Sequence, residues 1–207
     1  ALRLAPPEQA SLIAYLWPLF IVLGSALMPG EKLRWQHVAG ALLGLCGAGL
    51  IVSKGGTVNF EAQFAFGYAM AGLCALIWSA YSLLSRRNKG VPSEIVTGFC
   101  VVTAILGLFS HLAFEQTVWP QAIGEWVAIV ALGLVPLGLA FLAWDYGVKH
   151  GDIQILGAAS YAAPLLSTLV LIGAGRADLT QATVIACLLI TGGAVLAAKD
   201  MIFGHRS

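Results

Sequence analysis

Charge is scarce in this chain: Asp, Glu, Lys and Arg make up 10% of its 207 residues, 11 basic against 10 acidic, for a net charge of +1. A surface that neutralises a run of phosphates needs far more Lys and Arg, so nucleic-acid binding is excluded. The deficit goes with a hydrophobic fraction of 59% and a mean hydropathy of +0.87, which excludes both a disordered chain and a water-soluble globule. Cysteine is sparse and unpatterned: Cys46, Cys74, Cys100 and Cys187 sit inside apolar runs without CxxC spacing. Neither a zinc site nor a disulfide framework is indicated. They read as small lipid- or core-facing residues. HExxH, a P-loop, GxGxxG and any Ser/His/Asp set are also missing. An enzyme therefore has no candidate nucleophile, metal or phosphate cradle, no cofactor is implied, and ATP hydrolysis is not expected of this chain.

What the chain has in quantity is long apolar runs. A helix needs roughly 20 mostly apolar residues to cross a bilayer, and seven stretches qualify: A at 8–29, B at 35–53, C at 64–85, D at 94–115, E at 124–147, F at 153–174 and G at 180–199. Hydrocarbon cannot satisfy open backbone groups, so runs of this length must be helical, and short alternating segments that would form a barrel are lacking. The expected class is an all-α, polytopic membrane protein.

Loops facing the cytoplasm carry an excess of Lys and Arg. One side collects Lys32, Arg34, Arg86, Arg87, Lys89, Lys149, Lys199 and Arg206; the other holds only Arg3, Lys54 and Arg176. The C-terminus is therefore expected in the cytoplasm, as in a multi-pass protein of the inner membrane. The sequence opens on Ala1 and enters span A almost at once, with no cleavable signal region, so it reads as a fragment. Seven crossings place Ala1 outside, which implies an odd number of helices upstream if the complete protein starts in the cytoplasm. Trp119 and Trp126 flank the outer ends of D and E and Trp35 the inner end of B, where indoles favour the headgroup zone.

Sliding the sequence against itself by 146 positions superposes Tyr15 on Tyr161, Pro18 on Pro164, Leu19 on Leu165, Leu33 on Leu179, Gly47 on Gly193, Ala48 on Ala194 and Leu50 on Leu196. Spans A and B thus match F and G. Five crossings separate the two starts, an odd number, so the copies run in opposite directions. Inverted repeats recur in transporters because two like halves can close either end of a path around one central site.

The segment from Ala14 to Pro18 (AYLWP), then Gly30-Glu31-Lys32, IWSAYS from Ile77 to Ser82 and AWDYGVKHGD from Ala143 to Asp152 together resemble the drug/metabolite transporter superfamily. The similarity is greatest to its EamA-type branch with its aromatic amino acid exporters. The resemblance implies ten helices in two inverted five-helix halves, with this chain as helices four to ten. On that basis residues 1–55 are the last two helices of the first half, 56–63 a connecting loop, 64–200 the second half and 201–207 a cytoplasmic tail. One departure stands out: the Gly30-Glu31 pair that ends the first hairpin has Arg176-Ala177-Asp178 as its counterpart.

Span A centres Tyr15, Trp17 and Pro18, and span F centres Ser160, Tyr161 and Pro164. A midplane proline removes a backbone hydrogen bond and kinks its helix. A packing kink is one reading; a pocket wall or moving hinge is the other, and the paired positions favour it. Pro136 in span E has no partner and reads as a kink. In span C, Trp78, Tyr81, Ser82 and Ser85 share one helical face, either as cavity wall or as buried filling. Glu8, Glu31, His37, His111, Glu115 and Glu125 fall at span ends and read as solvated. Trp144 is a belt residue or a gate, and Asp145 lies inside the positive loop, either ion-paired with Lys149 or Arg34 or contacting a substrate amine or a proton. Gly40 and Gly44 form a GxxxG step, for packing within the chain or for a dimer face, with the former the default.

These features predict a secondary transporter working by alternating access, with the lipid bilayer and a small-molecule substrate as its partners. The lack of a central charge argues against strongly anionic substrates. Export of neutral or aromatic amino acids is what the resemblance implies. Tyr15, Trp17, Pro18, Trp78, Tyr81, Ser82, Ser160, Tyr161 and Pro164 are the expected substrate contacts, and Trp144 and Asp145 the expected gate or coupling residues. An uncoupled facilitator and a non-transporting scaffold are the rival readings; oligomeric state is not specified by the sequence.

Overall fold

The computed structural model describes residues 1–203. Arg206, counted above on the positive side, lies outside the described residues, as does most of the expected tail. Among the described residues every regular element is helical.

The chain opens with α1 (Pro7–Ala14), started by a proline whose missing N–H costs nothing in the first turn. Then come α2 (Trp17–Gly24), α3 (Trp35–Val52), α4 (Ala65–Arg87), α5 (Ile95–Phe114), α6 (Ile123–Leu134), α7 (Ala140–His150), α8 (Ile153–Ala159), α9 (Ala162–Gly173), α10 (Gln181–Ala197) and α11 (Lys199–Phe203). Six helical stretches are long and apolar enough to cross a membrane: Pro7–Leu27, Trp35–Val52, Ala62–Arg87, Ile95–Phe114, Ile123–His150 and Ile153–Gly173. The seventh expected span is the apolar Gln181–Ala197, at 17 residues shorter than the rest. The chain is a multi-pass membrane protein.

Three spans are not continuous α-helix. Pro18 breaks the first into α1 and α2, and the counterpart break separates α8 from α9 ahead of Pro164. Pro136 lies in a π-helical turn, Val135–Leu139, between α6 and α7. Widening the turn accommodates a ring that the regular ladder cannot hold.

The fold divides into two compact units, residues 1–87 with 152–207, and residues 88–151. At the centre of the first, α3 packs along α10. A methyl group added at Gly40 would collide with the carbonyl oxygen of Gly193, and one at Gly47 would lie 3.0 Å from that of Ala186 and 2.7 Å from Ile190 Cγ1. Position rises along α3 as it falls along α10, so the two helices are antiparallel. Gly40 and Gly44 thus serve packing within the chain. Small residues let the backbones approach until van der Waals contact replaces the hydrophobic drive that lipid cannot supply. Around this pair, α2 packs on α4 and on α8, and α1 on α4.

The second unit holds α5, α6 and α7. The α6 side chains are exposed in this chain. Trp119 and Trp126 sit together, centroids 6.3 Å apart.

Two span-end groups expected in solvent are not there. His37 is buried, its Nδ1 accepting the Arg34 backbone N–H at 3.3 Å to cap α3. Glu31 is largely covered and pairs with Arg86 at 2.7 Å. Capping and pairing offset desolvation that an isolated group would not tolerate.

Candidate functional site

The two helix breaks position the expected residues. Pro18 offers no N–H, and just before it the turn tightens: Leu16 N–H donates to Ile13 O at 3.1 Å. At the counterpart break, Tyr161 N–H donates to Ala158 O at 3.4 Å and Ala163 N–H to Ser160 O at 3.1 Å. Tyr15 and Tyr161 therefore stand at equivalent interruptions of two helices.

The structure brings Trp17, Trp78 and Tyr81 together. The Trp17 and Trp78 rings meet edge to face with centroids 6.2 Å apart, and Tyr81 lies tilted against Trp78 at 5.4 Å. All three are half-buried. Such geometry satisfies the ring quadrupoles. Ser79 lies beside this group: its buried hydroxyl shares one proton between the Ala75 carbonyl at 2.7 Å and the Trp17 carbonyl at 2.9 Å.

The other expected residues take different places. Ser82 is fully buried and its hydroxyl donates to Trp78 O at 2.9 Å; Ser160 does likewise to Leu156 O at 2.7 Å. Such back-bonding spends the hydroxyl proton within the helix. Pro18, Tyr161 and Pro164 are covered by protein in this conformation. Tyr161 joins Val22, Ala41, Ala48, Leu165 and Ile190 in the core cluster, against which Tyr15, itself half-buried, also packs. Trp144 and Asp145 lie on α7, in the second unit. There Asp145 forms an ion pair with Lys149, both buried, and Lys149 Nζ also donates to Val91 O at 2.9 Å.

Polar contacts absent from the sequence reading tie the first unit at one end. Gln154 Nε2 donates to Ser25 Oγ at 3.0 Å and Ser25 Oγ donates to Val22 O at 2.7 Å, joining α8 to the end of α2. Asp152 caps α8 by accepting from Gln154 and Ile155 N–H. Arg34 and Gln36 both reach Asp200. The Gln154–Ser25 and Arg34 and Gln36–Asp200 partners are far apart in sequence and follow no local spacing, so no pattern announces them. Among the described residues no group of three or more His, Cys, Asp or Glu is placed to hold a metal ion.

Comparison with known proteins agrees in kind. The chain is 54% identical to the aromatic amino acid exporter YddG of Ancylobacter novellus over 198 residues, 95% of this chain and 69% of that protein. It is 25% identical to the aromatic amino acid exporter YddG of Escherichia coli over 91% of this chain and 66% of that protein. A solved crystal structure, 53% identical in sequence, superposes with a TM-score of 0.92 over 95% of this chain and 70% of the other. The chain thus spans about two thirds of the length of these relatives. The sequence profile of the EamA-like transporter family matches residues 1–53 and 65–199, and this chain belongs to that family of transporters.

Proposed function

We propose that the protein is a secondary transporter that exports small metabolites, neutral or aromatic amino acids in particular, from the cytoplasm across the inner membrane by alternating access. The observation that carries this reading is the cluster of half-buried aromatics Trp17, Trp78 and Tyr81 beside a proline-broken helix, in a chain 54% identical to an aromatic amino acid exporter. Tyr15, Trp17, Trp78, Tyr81 and Ser160, all half-buried, form the wall that meets substrate. Pro18, Ser82, Tyr161 and Pro164 support that wall and become exposed when the broken helices move. Trp144 and the Asp145–Lys149 pair are gate or coupling elements of the second unit.

The inverted repeat is supported by the α3–α10 contacts. Shifting by 146 positions carries the first residue of α3, Trp35, onto the first of α10, Gln181, and turns the contact of Gly40 with Gly193 into that of Ala186 with Gly47, which is also made. A contact set that maps onto itself when the copies exchange is that of a two-fold axis between antiparallel elements. We take residues 1–55 and 64–200 as parts of two such halves, joined by 56–63, with 201–207 as a cytoplasmic tail.

The packing of the broken helices is one-sided. α2 lies against α8, whereas α1 makes no comparable packing with α9. With the positive loops in the cytoplasm, this is the arrangement of a carrier closed on the inside.

The test is efflux of labelled phenylalanine or tryptophan from vesicles holding the full-length protein. Wild type releases substrate faster than empty vesicles, and Trp78→Ala raises the half-saturating concentration by about tenfold, the worth of one aromatic contact. Unchanged flux in Trp78→Ala and Trp17→Ala removes the aromatic site. No flux of any amino acid removes the exporter.

A further inference from the structure

The α3–α10 hub is close to symmetric, but the two tyrosines at the helix breaks are not. Tyr161 is fully buried, and its ring fills a hollow made by Gly44: a methyl group there would lie 2.5 Å from Cδ2 and 2.9 Å from Cγ of the ring. Tyr15 is its repeat counterpart and remains half-buried. The residue opposite differs as well. Shifting Gly44 by the repeat interval of 146 lands on Ile190, a branched side chain that is itself buried in the core cluster. One copy offers a tyrosine-shaped space, and the other has filled it.

From this we infer that the Gly44/Ile190 pair sets the conformational preference of the carrier. Tyr161 lodged on Gly44 is the latch of the observed state, and Ile190 denies Tyr15 the equivalent seat in the opposite state. The inference rests on the alternating-access reading above. Exchanging the conformations of the two copies converts one state of an inverted-repeat carrier into the other. Tyr161 then leaves its hollow, and Tyr15 moves toward Ile190 and Leu165, as Tyr161 now sits on Gly44 beside Leu19. Side chains in close-packed interiors have discrete alternative arrangements, so this exchange is a two-position switch.

The latch also carries a built-in weakness. The Tyr161 hydroxyl is buried beside the backbone of Leu19, yet makes no hydrogen bond of ordinary geometry among the described residues. A buried hydroxyl without a partner destabilises the state that contains it. Shape holds the ring in, and the unsatisfied oxygen favours release, so neither state is a trap.

The experiment measures two distances by electron spin resonance in the full-length protein in vesicles, with the four cysteines of this stretch replaced. One label pair, at Leu23 and Ile155, reports the separation of α2 from α8; the other, at Glu8 and Leu171, reports that of α1 from α9. Both are read without substrate. Gly44→Val expels Tyr161, and Ile190→Gly gives Tyr15 a seat; each moves the population about tenfold toward a longer first and shorter second distance. Tyr161→Phe keeps the ring and removes the stranded oxygen, and shifts the population by a similar factor the other way. Should Gly44→Val fail to fold, Ile190→Ala and Tyr161→Phe decide the matter: opposite shifts uphold the latch, and unchanged populations in both overturn it. Shifted populations in a protein that moves no amino acid would uphold the latch while removing the exporter. Normal efflux with populations that no variant alters would do the reverse.

Discussion

The hydroxyl of Ser79 on α4 lies 2.9 Å from the carbonyl oxygen of Trp17 on α2, joining residues 62 apart in sequence. That carbonyl belongs to the residue just before Pro18, where the backbone ladder is already disturbed. The same contact holds the two helices that carry the Trp17–Trp78 pair. Packing alone would let the indoles slide past each other; the hydroxyl opposes this to the extent that its one proton, shared with the Ala75 carbonyl at 2.7 Å, is given to Trp17.

Replacing Ser79 therefore tests positioning. Ser79→Ala is expected to lower stability by about 0.5–1.5 kcal/mol, the range for interhelical hydrogen bonds in membranes, and to raise the half-saturating concentration for an aromatic substrate more than it lowers the maximal rate. Ser79→Thr keeps the hydroxyl and is expected to restore affinity. Thermal unfolding in detergent and concentration-dependent efflux measure the two effects. Equal affinity in wild type and Ser79→Ala would reduce the contact to simple packing.

The helix-packing glycines make a sharper comparison. Gly40→Ala places its methyl against the Gly193 carbonyl and within 2.9 Å of Ala197 Cβ, whereas Gly192 has nothing within 4 Å of an added methyl. The first is expected to cost about 1–3 kcal/mol as overpacking, while Gly192→Ala is neutral or mildly stabilising through helix propensity. Unfolding temperatures of the two variants, measured side by side, decide it. Equal losses would mean that α3 and α10 are not in backbone contact.

Much of this fold is legible in the sequence because hydrocarbon length leaves little freedom: span B was expected at 35–53 and α3 runs Trp35–Val52, and span D at 94–115 matches Ile95–Phe114. The break at Pro18 was also readable, since a missing N–H acts locally. Which face each residue turns inward was less so. Trp78, Tyr81 and Ser82 were read as one stripe, yet Ser82 is sealed while Ser79, outside that stripe, makes the contact between helices. Tyr15 and Tyr161 look alike in sequence and differ in burial: the Tyr161 ring lies against Gly44 of another helix, and the repeat counterpart of that glycine is Ile190. Burial in a bundle is decided by the partner helix, and periodicity within one helix carries no information about it.

Glu31 and Arg86 form a part-buried pair, their side chains 15% and 18% exposed, with Arg86 Nε also donating to the same carboxylate oxygen at 2.8 Å. Glu31→Gln leaves a guanidinium in restricted solvent and is expected to cost about 1–3 kcal/mol, between the exposed and fully buried cases. The double variant Glu31→Gln with Arg86→Gln is expected to recover part of that loss, because the guanidinium that lost this carboxylate is removed with it. A thermodynamic cycle of thermal unfolding measures the coupling; strict additivity would show that the two residues are independent.

Asp145 and Lys149, one turn apart on α7, are both almost fully buried. Removing the carboxylate alone takes a counter-charge from a buried ammonium, so loss of activity in Asp145→Asn would not distinguish a coupling role from misfolding. The informative variant is Asp145→Asn with Lys149→Met, which removes both charges and is expected to fold better than the single change. If Asp145 handles a proton during transport, the double variant moves substrate down its own gradient but no longer responds to an imposed pH gradient. If the pair only holds α7 in place, efflux from the double variant still follows the pH gradient as wild type does. Parallel assays of efflux with and without the gradient separate the two roles, and a wild-type protein that itself ignores the gradient would remove proton coupling from the reading.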